Sequence, residues 1–295
     1  SDSEHPAVLR TVEALEAEGF RASYIPTKHG VFDMDVFRRE MTRDTFLVTV
    51  MLVNNETGAV NDIRAISDYA KSVNPDCIVH TDAVQGFLKL PFTPTALGAD
   101  LVTVSAHKIH GPKGVGALYI SPYMIKRRAV SPIIFGGGQE FSFRSGTENL
   151  PGIAGFGAAA AAQSASLEQD IAAMTDLRDK LPAMLADDPI LSNIAVNVPQ
   201  SKERAPHIVS LRMPKIKSET MLNFLSGKGI AVSSGSACSA QSGRISSALL
   251  CFGLSEAEAD TTLRISLCAQ NTEEELIALC DALRLGIKML ARMKR

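Results

Sequence analysis

The 295-residue sequence has no long apolar run, no paired-cysteine motif and no marked excess of charge of either sign. Nothing approaches the roughly 18 consecutive apolar residues of a membrane-spanning helix, so no membrane partner is expected. The chain opens Ser-Asp-Ser-Glu-His-Pro, which is not the basic-then-apolar start of a secretory leader. Its five cysteines, at 77, 238, 251, 268 and 280, are odd in number and never form a C-x-x-C pair. This argues against a disulfide framework and against a zinc site, and makes a reducing cytoplasm the simplest location. A net charge of −2 gives no reason to expect nucleic acid as the main partner. No internal repeat is visible. The glycines at 111–116 and 136–138 lack the spacing of a P-loop or a dinucleotide fingerprint, so a nucleotide has little support.

What is present is ordinary in bulk: 45% hydrophobic and 21% charged residues, in a chain long enough for one large core or two domains. The patterning predicts a helix from Pro6, stopped by Gly19, with Val8, Val12 and Leu15 on one face. Strands are expected at 22–25, 46–53, 77–80, 101–104 and 117–120, with a helix over 62–73. Strands alternating with helices point to a mostly parallel sheet. From Asn149 the composition shifts to an Ala/Gly-rich helical run over 152–165, which places a domain boundary near 165. The remainder, 166–295, reads as a smaller α+β domain. Short strands are expected at 195–198, 207–211 and 230–233, and helices at 170–185 and 218–225. Capping boxes stand at Ser255/Glu258 and Thr272/Glu275. A final helix carries Leu276, Leu279, Leu283, Ile287 and Leu290 and ends in Arg292, Lys294 and Arg295.

The chemistry concentrates in Val79–Gly114. One apolar run ends in Thr81 and Asp82, the next in Ser105, Ala106, His107 and Lys108. In open α/β sheets ligands bind at the carboxyl ends of strands. An acid leaving one strand and a lysine leaving the next suit pyridoxal phosphate, which needs a carboxylate at its ring nitrogen and an amine at its aldehyde. Taken singly, an Asp after a strand is as well explained as a cap and a lysine in a Gly-rich turn as a solvated group. Lys113 is a second amine in the same stretch. Cys238 sits among small residues in Ser-Ser-Gly-Ser-Ala-Cys, which suits an accessible thiol and equally a passive loop cysteine. Arg264 lies between Leu263 and Ile265, flanks that argue against simple surface exposure.

HTDAVQ at 80–85 followed by SAHKIHGPKG at 105–114 resembles the cofactor-lysine region of class V aminotransferases, closest to cysteine desulfurases, and SSGSAC at 233–238 resembles their nucleophile loop. The resemblance implies fold type I of the pyridoxal-phosphate transferases, with a mostly parallel sheet, helices on both faces, and a smaller α+β domain. It implies conversion of L-cysteine to L-alanine with a persulfide left on Cys238 for a sulfur acceptor, either an iron–sulfur scaffold or a thio-cofactor enzyme. It matches Lys108 to the cofactor-binding lysine in preference to Lys113, and Asp82 to the partner of the ring nitrogen. His5 matches a ring-stacking, proton-transferring histidine, and Asn55 and Gln85 match groups at the phenolic oxygen. Ser105 and His107 match phosphate ligands. Thr147 matches a residue reaching the partner subunit's phosphate in a homodimer, Arg264 matches the binder of the substrate carboxylate, and Asn55 is also matched to substrate binding. Locally, His5 also reads as a helix cap and Asn55 as an Asx turn. Gln85, Ser105, His107 and Thr147 also read as ordinary loop polarity. Relatives normally carry a further segment before the His5 motif, with a Gly-Ala-Thr turn for the phosphate and strands of the large sheet; nothing in this sequence replaces it. A catalytically weak short form acting by binding a partner, and a selenocysteine lyase, are the alternatives.

Overall fold

The apolar runs that precede Asp82 and Lys108 become neighbouring parallel strands. In the computed structural model, which describes residues 1–235 and 245–290, the chain forms two compact units. One comprises Arg38–Leu52 and Asp62–Leu167; the other comprises Ser1–Phe37, Val53–Asn61 and the chain from Glu168 onward.

The first unit holds β1 (Leu47–Thr49), β2 (Ile78–Asp82), β3 (Leu101–Ser105) and β4 (Gly116–Ile120), hydrogen-bonded in that order. β1 and β2, and β2 and β3, are parallel, while β3 and β4 are antiparallel. Helices Ile63–Val73 and Pro94–Leu97 lie in the two parallel crossovers. Only residues 106–115 separate β3 from β4, too few for a crossover, so the last strand must reverse. Helix Ile63–Val73 forms as its periodicity predicts. The Asp62 carboxylate accepts from Ala65 N at 3.0 Å, and Ile63, Ile66 and Ala70 are buried. Lys71 Nζ meets Asp100 Oδ2 at 2.6 Å, and the same oxygen accepts from Val79 N at 2.9 Å, so one carboxylate ties helix to strand. Across three strands runs a side-chain ladder: Thr49 Oγ1 to His80 Nδ1 at 2.7 Å, and His80 Nε2 to Thr103 Oγ1 at 2.9 Å.

The strand expected over 46–53 is regular only at Leu47–Thr49. Val50 N and Leu52 N still bond the His80 and Asp82 carbonyls, but at Val53 the chain leaves this unit for the other. The segment 22–25 joins neither sheet: the Ile25 carbonyl accepts from Asp2 N at 3.0 Å, so its backbone pairs with the N-terminal segment and not with a ladder.

The second unit holds β5 (Ala195–Val196), β6 (Ile208–Arg212), β7 (Ser233–Ser234) and β8 (Thr262–Ser266) in the order β5-β6-β8-β7, all antiparallel. The strand expected over 230–233 pairs only at Ser233 and Ser234, opposite Arg264 and Leu263. The core of this unit collects Leu177, Leu181 and Leu185 of helix Leu167–Ala186, Leu211 and Leu263 of the strands, and Leu276, Leu279 and Leu283 of helix Glu273–Leu290. Helix Glu273–Leu290 approaches helix Ser218–Ser226 at Gly286, where an added Cβ would stand 2.7 Å from Met221 Sδ. Both capping boxes form. Ser255 N and Thr272 N each donate to the glutamate three residues on, and each hydroxyl accepts from that residue's N–H. Arg292, Lys294 and Arg295 lie outside the described residues. No helix among the described residues is long and apolar enough to cross a membrane.

Candidate active site

The first unit presents its polar groups where β2 and β3 end. Asp82 closes β2, opposite Thr103 of β3, and its Oδ1 accepts from Val84 N at 2.9 Å. That bond opens the turn that carries half-buried Gln85. Beyond β3 the chain winds into a single 3₁₀ turn, Ala106–Ile109. Its two apolar residues, Ala106 and Ile109, are fully buried. His107 is exposed and Lys108 half-buried between them, so the apolar pair anchors the turn and leaves the polar pair outward. The turn closes through Gly111 N donating to the Ala106 carbonyl at 2.9 Å. A Cβ on Gly111 would stand 3.0 Å from that same oxygen, so glycine is what lets the backbone close. Gln163 Nε2, from helix Leu150–Ala165, donates to the Ile109 carbonyl at 3.0 Å, and Gly155 of that helix lets Pro112 approach closely. At Gly155, therefore, the small residue allows the helix to lie against the lysine turn.

Ser105 Oγ and His107 Nδ1 are 2.7 Å apart. Burial holds the His107 imidazole below its ordinary range, and the positive charges of Lys108 and Lys113 push it the same way. That direction favours the neutral ring, which can donate from one nitrogen and accept at the other. Thr147 stands exposed in the loop after the short 3₁₀ turn Glu140–Ser142. Around it Ile133, Phe135, Phe141 and Leu150 expose 91%, 81%, 92% and 68% of their surface, an apolar display unusual for a free face.

The second unit gathers a different set. His5 caps helix Pro6–Ala17, its Nδ1 accepting from Ala7 N at 3.2 Å, which leaves Nε2 to carry the proton. Residues 53–59 are all buried. Within them Asn54 makes the Asx turn that local sequence equally allowed for Asn55, its Oδ1 accepting from Glu56 N and Thr57 N. The Asn55 side chain is thereby left out of the turn. The Asn55 carbonyl accepts from Arg264 Nη1 at 2.9 Å, and Ser233 Oγ accepts from Nη2 at 3.1 Å. Arg264 Nε is buried and has no hydrogen-bond partner among the described residues. Burial lowers the guanidinium pKa and the nearby Glu56 carboxylate opposes that, but the group stays charged. Among the described residues the half-buried guanidinium is held by neutral oxygens and keeps one donor unused. Cys238 lies outside the described residues.

Sequence reasoning missed Glu56, Ser233 and Ser246, which surround Arg264 or its neighbours. The signal available was a glutamate inside an otherwise apolar and amide-rich run, Met51–Ala59, where burial of a charge demands a reason.

The donor set fits pyridoxal phosphate. A carboxylate and an amine leave adjacent hydrogen-bonded strands, and a serine–histidine pair on the lysine's own turn offers hydrogen-bond donors of the kind a phosphate takes.

Comparison with known proteins addresses the family and not the individual residues. Residues 1–279 match the family described as aminotransferase class-V. A cysteine desulfurase of Nostoc sp. is 39% identical over 92% of this chain, which spans 66% of that protein. A cysteine desulfurase IscS of Dictyoglomus turgidum is 36% identical over 98% of this chain and 72% of its own length. Among solved structures, a NifS-like protein superposes with a TM-score of 0.85 at 35% identity, over 99% of this chain and 74% of that one. A NifS-like protein from Rickettsia africae gives 0.84 at 29% identity, over 98% and 74%. On the match over residues 1–279 and the identity it shares with these relatives, the chain belongs to the aminotransferase class-V family.

Proposed function

We propose that this chain is a pyridoxal-phosphate-dependent cysteine desulfurase. The observation that carries the reading is the pairing of β2 with β3, which brings Asp82 and the Lys108 turn to one sheet edge in a chain of this family. When bound, pyridoxal phosphate supplies the electron sink that lets a Cα–H bond break. Lys108 would hold the cofactor by its Nζ and carry the proton exchanged at Cα. Asp82 would keep the ring nitrogen protonated, Gln85 and Asn55 would donate to the phenolic oxygen, and Ser105 and His107 would take the phosphate. His5, whose Nε2 carries its proton, would meet the ring face and pass a proton to the substrate. Arg264 would receive the substrate carboxylate, a role supported by its unused buried donor. Cys238, as thiolate, would attack the sulfur of L-cysteine. The Cβ–sulfur bond would break with its electron pair left on Cβ, the sulfur would stay as a persulfide on Cys238, and alanine would leave once Cβ has gained a proton and Cα has regained its own. A sulfur-acceptor protein would then collect it.

Thr147 would serve the phosphate of a second copy in a homodimer. The exposed Ile133, Phe135 and Phe141 around it support self-association on that face.

The test is direct. Protein mixed with pyridoxal phosphate and desalted is expected to keep a visible absorption band that Lys108→Ala loses, and to release sulfide from cysteine unless Cys238 is changed to Ser. No retained band would leave a binding role as the better reading. Turnover of selenocysteine alone would make the chain a selenocysteine lyase.

A further inference from the structure

Glu56 is a buried acid that the proposed reaction does not use. It is 5% exposed, and its Oε2 accepts from Ser246 Oγ at 2.6 Å. Ser246 in turn caps helix Ser247–Phe252, its hydroxyl accepting from Leu249 N at 3.2 Å. Among the described residues, the charged group that acts on Glu56 is Arg264. The guanidinium bonds the carbonyl of Asn55, the residue next to Glu56 in the chain, and the hydroxyl of Ser233.

This arrangement has an electrostatic consequence. Before a ligand arrives, buried Glu56 and half-buried Arg264 partly compensate each other, and Coulomb interactions away from bulk water are stronger than in it. A ligand carboxylate bound to Arg264 would cancel the charge that favours ionised Glu56 and place a second negative charge near it. Two carboxylates sharing one guanidinium in a buried site are costly unless one takes up a proton. We propose that Glu56 is a positioning residue whose protonation is linked to carboxylate binding at Arg264, so that it sets the pH range in which this site accepts an anionic substrate. The inference rests on the assignment of Arg264 as the carboxylate binder.

Burial raises Glu56 above the ordinary carboxylate range, and the Ser246 hydrogen bond and the Arg264 charge oppose that rise. The direction of the linkage follows. Below the ligand-free pKa the acid is already neutral and affinity does not change with pH. Above it, binding must recruit a proton and affinity falls as pH rises, until the ligand-bound pKa is passed.

Calorimetric titration with 3-mercaptopropionate, which carries cysteine's carboxylate and thiol but no amine, tests this on the cofactor-loaded full chain. Heats measured in phosphate and in Tris at one pH report the protons taken up. The wild type is expected to take up a fraction of a proton and to lose affinity with rising pH, approaching about tenfold per pH unit, the limit for one linked proton. Glu56→Gln, which keeps an oxygen for Ser246, is expected to bind with no buffer dependence and a flat profile. Absence of proton uptake in the wild type, or the same uptake in Glu56→Gln, would overturn the proposal. Undiminished binding by Arg264→Gln, checked for folding by its thermal melt, would instead overturn the assignment of Arg264 itself. A purely structural Glu56 would change the melt and leave the proton count alone.

Discussion

In the first sheet the chemistry-bearing groups stand where strands stop; in the second, Arg264 stands in the middle of one. The difference is one of support. Lys108 sits on a turn shaped by its backbone, by two buried apolar neighbours and by the room Gly111 leaves. Arg264 is fixed by the register of β8 against β6 and β7 and by bonds from its own guanidinium. A group at a strand end is therefore separable from the fold, and a group within a strand is part of it.

The sharpest way to break that contrast is to change the arginine without changing its charge. Arg264→Lys keeps one positive charge but cannot reach the Asn55 carbonyl and Ser233 hydroxyl as a planar fork. KM for cysteine is expected to rise about tenfold or more, equivalent to about 1.4 kcal/mol of lost binding, with kcat less affected. A steady-state assay showing unchanged KM would mean that charge alone suffices. The turn is probed by its backbone, not by its lysine. Gly111→Val places carbon against the Ala106 carbonyl and is expected to cost about 1–3 kcal/mol in a denaturant melt, whereas Lys108→Ala should stay within about 0.5 kcal/mol of wild type. The smallest expected effect concerns charge on the turn. His107 should titrate below its ordinary range by NMR, and Lys113→Gln should move it partway back up, because burial, the larger cause, remains. The sign for stability follows: His107 binds its proton more readily unfolded, so this residue's contribution falls as pH drops through the ordinary histidine range.

Much of the first unit was legible because its signals are local. Apolar runs of strand length, Asp62 before an amphipathic stretch, and glycines flanking Lys108 each act within a few residues. The expected strand at 22–25 failed because a strand needs a partner, and alternation in one segment says nothing of what lies beside it. The Arg264 cluster was half legible. Its apolar flanks gave away burial, but the bonds to Asn55 and Ser233 join positions far apart in the chain, and no periodicity records such a meeting. Glu56 was passed over for the same reason, and Asn54, not Asn55, took the turn because only its side chain reaches back to the N–H groups of Glu56 and Thr57.

The imidazole of His80 links threonines on either side of its own strand. A neutral ring gives at one nitrogen and takes at the other, so the two hydroxyls beside it must play opposite parts, and the tautomer chosen gives this line of bonds a sense of direction. Acid that loads both nitrogens would erase that direction, forcing both threonines to accept and turning at least one hydroxyl away from wherever it had pointed.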